Sequence, residues 1–102
     1  MSSRGSIALR RWRLYISQDG LCFYCQQPMT LHHGRYRHAL KRVTVDHLVP
    51  LSMGGRYGYA NEVAACYSCN HERGNRDWKV FFIEKAHVRI TRQRDLARPL
   101  EP

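Results

Sequence analysis

Apolar positions along the chain recur with two different periods. In residues 7–18, IALRRWRLYISQ, the side chains of Ile7, Leu9, Trp12, Tyr15 and Ile16 can share one broad helical stripe, with Arg10, Arg11 and Arg13 on the wetter side. Asp19-Gly20 closes that helix with turn chemistry. The tight knuckle CFYC follows. Residues 26–42, QQPMTLHHGRYRHALKR, are polar and basic, which predicts a loop with at most a short hairpin. Residues 43–49 and Glu62 to Ala65 predict two short strands. Between them Pro50 to Tyr59 holds three glycines and reads as an ordered loop. Cys66 to Arg73 predicts a brief helix with Gly74 at its C-cap. Asn75 is the expected N-cap of a last helix, with Asp77 in its first turn and Trp78, Phe81, Phe82 and Ala86 at helical spacing. From His87 to Thr91 the pattern alternates and leaves the helix end undefined, and Arg92 to Pro102 is expected to fray. Trp12, Trp78, Phe81 and Phe82 are expected in the core rather than as stacking platforms for bases.

This order of elements predicts a small α+β fold. With 102 residues and no internal repeat or linker, one domain is expected: a basic N-terminal helix over 1–18, a core over 19–75, and a C-terminal helix and tail over 76–102. So short a chain buries a thin core and calls for a staple. The Arg- and Ser-rich start, SSRGSIALRRWRLYI, faintly suggests an organellar leader, but a basic helix belonging to the fold is the stronger reading. No apolar run resembles an export signal or approaches the ~20 residues of a membrane span, so no membrane association is expected and the expected setting is the cytoplasm. There disulfides are disfavoured and metal ligation by cysteine is favoured.

Charge narrows the partner. Seventeen Lys and Arg against eight Asp and Glu leave a formal net charge of +9. That field favours a polyanion, most commonly nucleic acid.

The four cysteines form two knuckles, Cys22-x-x-Cys25 and Cys66-x-x-Cys69. Each brings two thiolates within reach of one ion, and together they complete a tetrahedral, closed, structural Zn²⁺ site. A redox pair or buried free thiols are the rival readings, and neither pair sits in a βαβ context. His32, His33 and His38 lack ligand spacing and read as surface residues.

The stretch VDHLVPLSMGG places a carboxylate and an imidazole side by side in an otherwise apolar strand. Neighbouring strand residues point to opposite faces, so Asp46 and His47 must serve different elements. If the helix beginning near Cys69 lies opposite, Asn70 can meet Asp46. Carboxylate and amide oxygens would then form a hard half-site suited to Mg²⁺. His47 has the chemistry to take a proton from an attacking water near pH 7. Asn61 can pin the glycine-rich loop with its amide.

Two knuckles around V-D-H-L-V-P-L-S-M-G-G, then Asn61, then C-Y-S-C-N-H-E-R-G, resemble the HNH endonuclease family in its zinc-stapled form, over about residues 20 to 75. The resemblance implies a ββα-metal (treble-clef-like) HNH core stapled by a four-cysteine zinc site, with flanking N- and C-terminal helices. It implies metal-dependent hydrolysis of DNA phosphodiester bonds. By position, His47 matches the general base and Asp46 and Asn70 the ligands of the catalytic ion. Asn61 matches the structural middle residue. The ion implied is Mg²⁺ or Mn²⁺, with Zn²⁺ or Ni²⁺ as alternatives. Double-stranded DNA is the implied partner through its backbone, with Arg35, Arg37, Lys41, Arg42, Arg73 and Arg76 expected to contact it. Small free-standing nucleases of this kind occur in bacteriophages, where they assist genome packaging, and in restriction or mobile elements. A phage or prophage accessory nuclease is therefore the implied role, in the bacterial host cell if phage-encoded, with phage packaging or restriction proteins as further partners. The sequence departs from the family at Arg73, where Lys is usual, and in the long basic segment from Leu31 to Arg42. The alternative is a zinc-stapled nucleic-acid-binding module without catalysis, which has no use for Asp46, His47 and Asn70 together.

Overall fold

The structure, a computed structural model, describes residues 6–31 and 39–97. Helix α1 runs over Ile7–Ser17, and the Ser6 hydroxyl caps it by accepting from the Leu9 N–H at 3.1 Å. Strands β1 (Val43–His47) and β2 (Glu62–Cys66) pair antiparallel with Val43 opposite Cys66 and His47 opposite Glu62. Helix α2 (Tyr67–Arg73) leaves β2 without a break, and α3 covers Trp78–Ala97. The result is a small α+β fold in which a two-stranded hairpin carries α1 on one face and α2 on the other.

Each junction has a local cause. Cys66 closes β2 and also caps α2, its Sγ accepting from the Cys69 N–H at 3.5 Å. Gly74 ends α2 at φ +56°, a conformation that suits glycine. The loop after β1 makes a short 3-10 turn over Leu51–Met53 and folds back on itself so closely that a Cβ on Gly55 would lie 1.8 Å from the Val49 carbonyl oxygen. Asn61 braces this loop: its amide accepts from the Val49 N–H at 2.8 Å and donates to the carbonyls of Val49 and Arg56. On the outer edge of β2, Gln18 accepts from the Ala64 N–H and donates to the Ala64 carbonyl, and the Phe23 N–H joins it there. That edge is therefore closed to further strand pairing.

The core holds Leu14, Tyr24, Met29, Val43, Ala64, Ala65 and Phe81 around the four cysteines. An aromatic cluster docks α3 on the first knuckle. Phe23 meets Phe82 at 5.1 Å between centroids, and Tyr24 meets Phe81 edge-on at 4.9 Å. The Arg89 guanidinium adds a hydrogen bond to the Tyr24 carbonyl.

Several expectations are corrected. Asp77, not Asn75, caps α3, because its carboxylate reaches the N–H groups of Lys79 and Val80 at 2.8 and 3.3 Å. Residues 75–76 belong to a turn whose Arg76 carbonyl is held by the Arg73 guanidinium. The alternating segment His87–Thr91 stays helical, and α3 continues through residues 92–97, which were expected to fray. On α1 the broad stripe is not the buried face. Leu14 is buried, whereas Ile7, Leu9, Trp12 and Ile16 are exposed, Trp12 stacking on Tyr15. Arg10, expected on the wet side, is drawn down to a buried carboxylate described below.

Candidate functional site

Two clusters of chemistry-bearing side chains meet in the hairpin and α2. The first is sulfur. The Sγ atoms of Cys22, Cys25, Cys66 and Cys69 all lie within 4.8 Å of one another, Cys25 and Cys66 at 4.0 Å, and none forms a disulfide. A tetrahedral ion with Zn–S bonds of about 2.3 Å has sulfur–sulfur edges of about 3.8 Å, so the four thiols fit a structural zinc ion. The Cys66 N–H donates to Cys22 Sγ at 3.3 Å, a bond that favours thiolate over thiol. Hydrogen bonds from Cys22, then Cys66 and Cys69, lower the Cys25 pKa, whereas contacts with Cys22 and then Cys25 raise Cys66 and Cys69, so the four thiols oppose one another's ionisation until a cation gathers them.

The second cluster lies on β1. Asp46 and His47 do point to opposite faces. Asp46 is buried toward α2, where both its oxygens accept from Arg73 Nη1 at 3.0 Å and Oδ2 also accepts from the Tyr24 hydroxyl at 2.6 Å. Burial, and after it the neighbouring Asp46 carboxylate, push the Tyr24 phenol well above its ordinary pKa, so it serves as a donor. The Asp46 carboxylate thus meets Arg73 rather than Asn70. The Asn70 amide nitrogen donates instead to Thr44 Oγ1 at 3.0 Å, which leaves its Oδ1 with no protein donor among the described residues. Asp46, His47 and Asn70 nonetheless line one open cleft of about 310 Å³, together with Pro50, Ser52 and Arg73.

His47 faces the other way. Its Nε2 lies 3.1 Å from Glu62 Oε2, and its ring meets Tyr57 edge-on at 5.5 Å. Arg10 Nε lies 3.2 Å from Glu62 Oε1 as an ion pair. The reading from sequence missed Glu62, Tyr24 and Tyr57. Strand register alone would have pointed to Glu62, since it is the residue directly across from His47.

Whether an oxygen-seeking ion fits the cleft can be tested on lone pairs. A carboxylate offers about four acceptor directions. Arg73 and Tyr24 leave Oδ1 of Asp46 with capacity to spare, and Asn70 Oδ1 is open. Two hard donors therefore suit Mg²⁺ or Mn²⁺, with water and phosphate oxygens completing the shell. The guanidinium on Asp46 opposes a dication and makes its binding weaker than at a bare carboxylate.

The basic residues divide. Arg73 was expected to touch nucleic acid, but it is 1% exposed, and its guanidinium is committed to Asp46 and to the carbonyls of His47, Leu48 and Arg76. It is an internal brace. Arg76 is exposed and pairs with Glu84, and Arg42 lies over the Tyr67 ring at 4.6 Å. Lys41 lines a separate basic cleft with Lys85, Arg89 and Arg92. Arg35 and Arg37, like His32, His33 and His38, lie outside the described residues. Among the described residues no helix is long and apolar enough to cross a membrane.

The model of the HNH endonuclease family matches residues 22–76, from the first cysteine to just beyond α2. No curated protein sequence matches the chain.

Proposed function

The chain belongs to the HNH endonuclease family, and from that membership we propose that it hydrolyses phosphodiester bonds of double-stranded DNA, with zinc in the four-cysteine site and a divalent ion at Asp46 and Asn70. What supports this reading is that the adjacent Asp46 and His47 of β1 and the distant Asn70 of α2 line a single open cleft. When bound, the divalent ion supplies Lewis-acid stabilisation of the charge that builds on the phosphate. His47 takes the proton of the attacking water. Asn61 keeps the loop after β1 folded, and through its carbonyl, which accepts from the Leu48 N–H at 2.9 Å, it fixes the backbone just beyond His47. Arg73 and Tyr24 hold the Asp46 carboxylate in place. DNA backbone contacts come from exposed Arg76 and half-buried Lys41 and Arg42 among other cations, and confer affinity rather than base readout.

One observation favours a non-catalytic zinc-stapled binding module: the Asp46 carboxylate is already bridged by Arg73 and Tyr24. Plasmid cleavage separates the two readings. Supercoiled DNA is incubated with the zinc-loaded protein and Mg²⁺ or Mn²⁺, with EDTA, and with His47→Ala. The nuclease reading expects metal-dependent nicking or linearisation that falls at least about 100-fold in the variant, the scale of a lost general base. Fold and salt-sensitive DNA binding should persist in that variant. DNA binding by the wild type with no cleavage under any divalent ion would establish the binding module instead.

A further inference from the structure

The mechanism above leaves one buried ionisable side chain without a role. Glu62 is 2% exposed, in a strand position where valine or leucine would pack at lower desolvation cost. It is directly opposite His47 in the hairpin register. One of its oxygens lies 3.1 Å from His47 Nε2 and the other 3.2 Å from Arg10 Nε. Arg10 also lies over the Tyr57 ring at 5.6 Å, and Tyr57 stands edge-on to the imidazole. The ring of His47 is therefore held by Glu62 and Tyr57, and Arg10 touches both of its holders.

We propose that Glu62 is the positioning residue of the general base. This rests on the nuclease reading of the site. The carboxylate has no proton to give and must accept from Nε2–H, which puts the ring proton on Nε2 and leaves Nδ1 bare for the attacking water. When Nδ1 takes that proton the ring becomes a cation, and the same carboxylate faces it. Arg10 supplies the opposite charge at the other oxygen of Glu62. The buried Glu62–Arg10 pair is thus an arm of the active site that reaches from α1, outside the segment the family model matches.

The decisive variant is Glu62→Gln. Arginine can only donate, so Arg10 turns the new amide oxygen toward itself and presents the amide NH₂ to His47 Nε2. The ring must then accept at Nε2 and carry its proton on Nδ1, the wrong tautomer for a base.

The test reads the tautomer and the kinetics separately. Long-range ¹H–¹⁵N correlation on zinc-loaded protein, without the second divalent ion, should show His47 as the Nε2–H tautomer in the wild type. It should show Nδ1–H in Glu62→Gln. Single-turnover cleavage should fall about 100-fold or more in Glu62→Gln, with the DNA concentration for half-maximal rate changed less than about three-fold. In Arg10→Met/Glu62→Gln the amide is free to rotate, and part of the lost rate should return. An Nδ1–H tautomer in the wild type overturns the proposal without any variant. So does a Glu62→Gln protein that cleaves as fast as the wild type. If Glu62→Gln fails to fold, the wild-type spectrum and Arg10→Met, which should keep the Nε2–H tautomer, decide the question. Inactivity of the unmodified chain would overturn the nuclease reading and this role with it. Retained cleavage in Glu62→Gln overturns this inference alone.

Discussion

The two buried polar clusters of this protein are built on opposite plans. The sulfur cluster gathers four groups of one kind, which bind metal ions as thiolates. The Asp46 cluster joins an acid, a base and a neutral donor that satisfy one another, Asp46 with Arg73 and Tyr24. The first is of the kind that a cation from solution would complete. The second is complete from the chain's own atoms and keeps capacity to spare at its rim. The difference separates a candidate staple from a candidate site. Structural zinc contributes folding energy outright, whereas a preassembled acid–base cluster holds its geometry whether or not an ion is present. Tyr24 links the two, since it lies between Cys22 and Cys25 and donates to Asp46.

The largest way to break this contrast is to take a ligand from the sulfur cluster. Cys66→Ser, or prolonged chelation of the wild type, should abolish cooperative unfolding and the dispersion of NMR signals. In zinc-finger peptides structural zinc contributes roughly 10–16 kcal/mol, more than a small domain's whole stability. Retention of a sharp thermal transition in zinc-free protein would remove the staple from the account. Next is Arg73→Met, which leaves Asp46 buried without its cation and should cost about 3–5 kcal/mol in urea unfolding. Adding Asp46→Leu to that variant should recover most of the loss, because the uncompensated charge disappears. Arg73→Lys falls between, since an ammonium cannot serve the carboxylate and the carbonyls of His47, Leu48 and Arg76 from one planar fork. Smallest is Tyr24→Phe, which removes one donor to a buried carboxylate and should cost about 1–3 kcal/mol by the same measurement. It should leave zinc stoichiometry unchanged. Loss of zinc in Tyr24→Phe would show that the two clusters cannot be treated apart.

What was legible in the sequence followed from spacing. The knuckles, the hairpin strands and the short helix with Gly74 behind it are all local patterns, and the structure has them with small shifts of their ends. What escaped were contacts that local patterns do not encode. Arg73 looks like a surface cation at the end of a helix, yet it turns inward because the carbonyls of His47 and Leu48 and the carboxylate of Asp46 converge on one guanidinium. Glu62 looks like the polar start of a strand. Its burial depends on Arg10, from an element that lies far ahead of it in the chain. The alternation in His87–Thr91 left the end of the last helix undefined, but α3, anchored by buried Phe81, continues through it.

The span of the sulfur cluster has a consequence in time. Cys69 follows Cys22 by 47 residues. At a synthesis rate of roughly 5–20 residues per second, the first pair of thiols precedes the second by roughly 2–9 seconds. During that interval a nascent chain offers an ion only half a coordination shell. Asp46 and His47 emerge within the same interval, but Arg73 and the aromatic anchors of α3 come after it. The cleft is therefore assembled last, and a chain interrupted before Arg73 carries Asp46 and His47 without the architecture that holds them.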